Sequence, residues 1–141
     1  MLLKGNIYKM WAEFNEVGYP IIEVSMKGTI KNDQEFKDFT DKWLSYYELG
    51  RPFVFIFDTT QVGFVNIKYA FKMANFIKEL KKRERQILRY NVIVTKSLWV
   101  KMLLKMIFAI QSPVAPVEMR SDFDIDLEKL LNKANQELQS L

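Results

Sequence analysis

A chain of 141 residues, 49% hydrophobic and 27% charged, carries enough apolar material to bury one core without covalent staples. It contains neither cysteine nor histidine, which removes disulfides, thiolate chemistry, histidine-based triads and most zinc sites. The formal net charge of +4 permits an acidic protein, anionic lipid or nucleic acid as partner without requiring one.

The first pattern is an alternation over 8–14. Tyr8, Met10, Ala12 and Phe14 fall on one side, and Lys9, Trp11 and Glu13 on the other, as in a half-buried strand. Asn15-Glu16-Val17-Gly18 reads as a turn into a second strand over 21–26, an antiparallel hairpin that Gly28 ends. Asn32 suits a helix N-cap, and Glu35 three residues later completes a capping box. From there Phe36, Phe39, Trp43, Leu44 and Tyr47 share one helical face, and Gly50-Arg51-Pro52 stops it.

Phe53-Val54-Phe55-Ile56-Phe57 is apolar at every position, which predicts a strand covered on both faces. It is expected to end at Asp58, with Thr59, Thr60, Gln61 and Val62 forming a short polar turn. In open α/β sheets ligands are met at the carboxyl ends of strands, so Asp58, Thr59 and Thr60 are candidate interaction residues. Asn66 is predicted to cap the next helix, with Ile67, Ala70, Phe71, Ala74, Ile77 and Leu80 as its buried face.

A fourth strand is expected over 88–95, followed by Ser97 as the cap of a strongly apolar helix, 98–110. Pro113 and Pro116 force an extended link into a short strand, 117–120. Asp122, Asp124 and Asp126 then open a C-terminal helix at the positive end of its dipole, with Leu127, Leu130, Leu131, Ala134 and Leu138 facing inward. The order is ββαβαβαβα over one domain, 1–141. It predicts an α/β sandwich with a mostly parallel sheet of four or five strands, an N-terminal antiparallel hairpin and right-handed crossovers.

This order, with an Asp closing the third strand and a Thr two residues later, resembles the STAS fold of anti-sigma-factor antagonists. The similarity is greatest to the divergent branch grouped with CRAL-TRIO-type lipid-transfer domains. It spans about 21–131 and is carried by Lys27-Gly28-Thr29, by Asp58-Thr59-Thr60-Gln61-Val62 and by the strand-helix unit over 92–110. Members that act as phosphorylation switches place an acidic residue, a Ser or Thr, a small residue and Gly at the start of the second helix. Those positions are Asn66, Ile67, Lys68 and Tyr69 here, and none matches. The resemblance therefore implies a non-enzymatic module that binds a protein or small ligand and lacks the phospho-acceptor.

Several clusters invite a chemical reading. Asp58 has no second carboxylate identifiable beside it, whereas carboxylate chemistry usually needs a pair, so an Asp58-centred hydrolase or transferase ranks third. The run over 78–89 holds six cations against two anions, which suits phosphates or, equally, a solvated helix end. No RNA-binding or helix-turn-helix signature accompanies it, so no specific nucleic acid is expected. Asp122-Phe123-Asp124-Ile125-Asp126 fails as a calcium loop, because Leu127 and Lys133 stand where Gly and Glu are required.

The helix over 98–110 is apolar on nearly all sides, interrupted only by Lys101 and Lys105. A sheet this small covers part of it, which leaves Trp99, Met102, Leu103 and Met106 as candidate contacts with a second copy, a ligand or a membrane surface. The alternative is an ordinary core helix roofed by the C-terminal segment. The functional expectation is a regulatory domain acting through protein–protein interaction, with self-association through this helix. Its rival is a small apolar ligand or lipid-binding domain, with a pocket between that helix and the Met-rich, aromatic core. No cofactor or metal is expected. No leader peptide or membrane span of ~20 apolar residues is visible, so a cytoplasmic location is expected.

Overall fold

The computed structural model describes residues 11–18, 20–122, 126, 128–130, 132 and 136. Among the described residues, five strands form one sheet in the order β1 (Ala12–Gly18), β2 (Ile21–Gly28), β3 (Phe53–Val62), β4 (Leu88–Val94) and β5 (Val117–Arg120). The β1–β2 pair is antiparallel and the other three pairs are parallel. Three helices connect the parallel strands: α1 (Asp33–Glu48), α2 (Lys68–Leu80) and α3 (Leu98–Ile110). The molecule is thus α/β, with the antiparallel edge that the hairpin pattern predicts.

Sequential strand order fixes where the helices lie. Each right-handed crossover steps the same way across the sheet, so all three helices stack on one face. The β3 alternation shows the division. Phe53, Phe55 and Phe57 belong to a cluster with Phe39, Trp43 and Tyr46 of α1, whereas Val54 and Ile56 point the other way, toward Tyr90, Val92, Val94 and Leu130. The described part of the C-terminal segment therefore covers the second face rather than roofing α3. Glu128–Leu130 are helical, and the Asp126 side chain accepts from the Lys129 N–H at 3.1 Å. Asp124, Leu127, Leu131, Ala134 and Leu138, also predicted for that helix, lie outside the described residues.

Local signals set the helix ends. Asn32 Oδ1 accepts from the Glu35 N–H at 3.0 Å, and Glu35 returns a carboxylate to the Lys31 N–H at 2.6 Å, one residue earlier than in a standard capping box. Gly50 takes φ +70°, and its N–H donates to the Tyr47 carbonyl at 3.1 Å. Ser97 Oγ accepts from the Val100 N–H at 3.2 Å.

Four expectations are corrected. β1 occupies Ala12–Gly18 rather than 8–14; 15–18 is strand paired with β2, and Tyr8, Lys9 and Met10 lie outside the described residues. Trp11, placed outward by the alternation, precedes the strand and packs edge-on to Phe39 at 5.6 Å. β3 does not end at Asp58 but runs on to Val62, because β2 still offers a partner: Lys27 pairs with Gln61 and Gly28 with Val62. Asn66 does not occupy the N-cap of α2; Ile67 does, without a side-chain bond, while Asn66 Oδ1 accepts from the Lys68 N–H at 3.0 Å. Of the predicted α2 face, Ala70, Ala74, Ile77 and Leu80 are buried, but Ile67 and Phe71 are exposed.

The cationic run after α2 resolves into a solvated helix end with local pairs, Lys82 to Glu79 at 2.9 Å and Arg83 to Glu48 at 3.7 Å. The Arg83 guanidinium also lies over the Tyr47 ring at 5.3 Å. Burial pushes the Tyr47 phenol up to about 12, against the smaller opposing pulls of Trp43 and Arg83. The fold thus favours the neutral phenol. Its contribution is complete below the unfolded pKa of about 10 and is lost as pH rises through about 12. The wild type should lose on the order of 2 kcal/mol across that window that Tyr47→Phe keeps. Urea titrations of both proteins between those pH values check this, and parallel curves would exclude it.

Candidate functional site

The alternation of β3 separates the predicted site residues. Asp58 sits on the second face in a row with Ser25 and Val94, while Thr59 faces the helices. Asp58 Oδ1 is already occupied, accepting from the Thr60 N–H at 2.9 Å and from the Thr60 hydroxyl at 2.6 Å. The Thr59 hydroxyl is buried and donates to the Val94 carbonyl at 2.7 Å, tying β3 to the end of β4. Asp58 and Thr60 bond to each other and Thr59 to β4, so the three side chains do not converge on one point. Asn66 is exposed in the loop before α2.

The α3 residues divide differently. Leu103 is buried, Met106 half-buried and Met102 exposed. Trp99 stacks on Phe64 with centroids 5.6 Å apart, and its indole N–H donates to the Val65 carbonyl at 3.1 Å.

Between the first sheet face and the helices lies an apolar cavity of about 150 Å³. Its floor is Phe57, Thr59, Asn91 and Ile93 from the sheet. Trp43 of α1 and Ala70 and Met73 of α2 form its roof, and Leu103 and Ile107 of α3 close one side. Small side chains make the space. Ala70 lines it, and with the adjoining Ala74 packs in one cluster with Leu103 and Ile107 of α3.

Three polar atoms belong to the walls of this otherwise greasy space. Asn91 Oδ1, Trp11 Nε1 and Trp43 Nε1 are buried and have no hydrogen-bond partner among the described residues, and all three residues line the cavity. The Asn91 main-chain N–H is engaged, donating to the Pro116 carbonyl at 2.9 Å, so it is the side-chain amide that is left to serve the cavity. An unpaired buried acceptor costs about 1–3 kcal/mol, which a bound donor would recover in part.

Sequence reasoning expected a pocket between this helix and the aromatic core and named Leu103 and Thr59, but missed Asn91. The available signal was a polar Asn inside the apolar fourth strand, opposite two alanines in a helix otherwise rich in bulky side chains. No protein-family model matches this sequence, and no curated protein is significantly similar to it. Among the described residues no helix is long and apolar enough to cross a membrane.

Proposed function

We propose that this chain is a non-enzymatic binding domain that holds a small, largely apolar molecule bearing one hydrogen-bond donor. The cavity carries this reading. At about 24 cal/mol per Å³, an unfilled void of 150 Å³ costs about 3–4 kcal/mol, a large share of an ordinary domain's stability. Engineered apolar cavities of this size take up benzene. Pockets for drug-sized molecules begin at about 300 Å³, so the occupant is a single ring or short branched chain rather than a diacyl lipid. Asn91 Oδ1 supplies the acceptor for its hydroxyl or amine. Asp58, on the other face, has no part in it.

A STAS-like regulatory role, acting through docking of α3, is the second reading. It is supported by the exposed side chains of Leu98 and Met102 rather than by the cavity.

Phenol and toluene distinguish the proposed site from generic greasiness, because they differ by one donor. Phenol should shift the methyl signals of Ile93, Leu103 and Ile107 and bind about tenfold more tightly than toluene, the worth of one buried hydrogen bond. Asn91→Ala should bring the two affinities together. If neither molecule moves those signals at millimolar concentration, the reading fails.

A further inference from the structure

The outer surfaces of α2 and α3 carry a pattern that the cavity does not use. On α2, Ile67 and Phe71 lie four residues apart and both are exposed; on α3, Leu98 and Met102 repeat the spacing, with Leu98 80% exposed. Both stripes border the buried seam where Ala70, Ala74 and Ile77 meet Leu103 and Ile107. Helical spacing sets Ile67 and Phe71 one step outward from Ala70 and Ala74, and Met102 one step outward from Leu103. Phe64, 66% exposed, continues the surface past the helix starts by stacking on Trp99.

Cations flank this apolar strip. Lys68 and Lys72 stand on α2, Lys96 just before α3, and Lys101 and Lys105 along α3. No Asp or Glu occurs between Gly63 and Lys78, or between Thr95 and Val117. Lys68 is shared with Asp33 of α1 at 3.5 Å.

We propose that this two-helix surface docks on an anionic lipid bilayer, with its aromatic and aliphatic side chains in the headgroup boundary and its lysines on the lipid phosphates. Lysine beside Trp, Phe and Leu is the composition of elements that lie in the membrane plane. Lysine is depleted from protein–protein interfaces, and a two-fold contact with a second copy would set these lysines against themselves, with Asp33 already engaged by Lys68. An anionic bilayer matches both components of the surface, since it attracts each nearby lysine and accepts the apolar strip. The surface lies outside the cavity walls, so the two proposals fail independently.

Co-flotation with vesicles tests it. The wild type should bind phosphatidylcholine vesicles containing about one third phosphatidylserine at least tenfold more tightly than pure phosphatidylcholine, and binding should weaken with added salt. Phe71→Ser with Met102→Ser should lower that affinity at least tenfold, as should Lys101→Gln with Lys105→Gln, with far-ultraviolet circular dichroism unchanged. Brominated acyl chains should quench tryptophan emission in the wild type, and Trp99→Phe should remove most of that quenching. Equal, weak binding to both vesicle types overturns the proposal. So does anionic binding that survives both double substitutions, or a solution mass of two chains that the serine pair reduces to one.

Discussion

Trp43→Ala should destabilise the protein by about 3–5 kcal/mol, among the largest effects of any single substitution here. Trp43 is where the first sheet face, α1 and α2 meet. Its ring centroid lies 4.9 Å from Phe55, 5.5 Å from Phe57, 5.3 Å from Phe76 and 5.8 Å from Phe39. Three of those four contacts are edge-on, the geometry that adds to plain area burial. Removing the indole also merges its volume with the existing cavity, because Trp43 is part of the wall. Free indole should therefore restore part of the loss by mass action, raising the midpoint of Trp43→Ala more than that of the wild type. Urea unfolding with and without indole measures both effects. A loss below about 1 kcal/mol would mean that the aromatic cluster is not the keystone its contacts imply.

The elements that could be read from sequence are those with an unambiguous local signal. Ser97 and the Pro113–Pro116 spacing delimit α3 and β5, and the capping pair Asn32 and Glu35 delimits the start of α1. Phe53 to Phe57, apolar at every position, is covered on both faces as such a run demands. The failures have one cause, the override of local preference by a neighbouring strand or helix. Asp58-Thr59-Thr60-Gln61 has turn chemistry, yet β2 supplies a pairing partner and Thr60 satisfies Asp58 within the strand. Ile67 and Phe71 fit the periodicity of a buried face, but the helix is apolar over a wider arc than its neighbours can cover. What is left over is the proposed bilayer surface.

A pocket beside α3 follows from that helix's apolar surplus, but its lining was not legible, because no motif encodes a difference between the volumes of facing side chains. The inner faces of α2 and α3 line the cavity, and their outer faces carry the lysine-flanked strip.

If the space is kept for a ligand, filling it should raise stability and remove binding together. Ala70→Leu adds three carbon atoms at a buried wall position. Relief of part of the void should stabilise the fold by about 1 kcal/mol, within the usual range for cavity-filling changes. Phenol affinity should fall at least tenfold, since a site of benzene size has no room for both a leucine side chain and a ring. The two readouts must move in opposite directions for the proposal to stand. Overpacking would lower both stability and affinity, so Ala70→Val, with fewer added atoms, then decides between strain and exclusion. Should stability rise in either variant while phenol binding is unchanged, the ligand lies elsewhere, and the void is a packing defect rather than a site. A stabilising Ala70→Leu that abolishes uptake is the trade-off expected where a binding site is kept at a cost in stability.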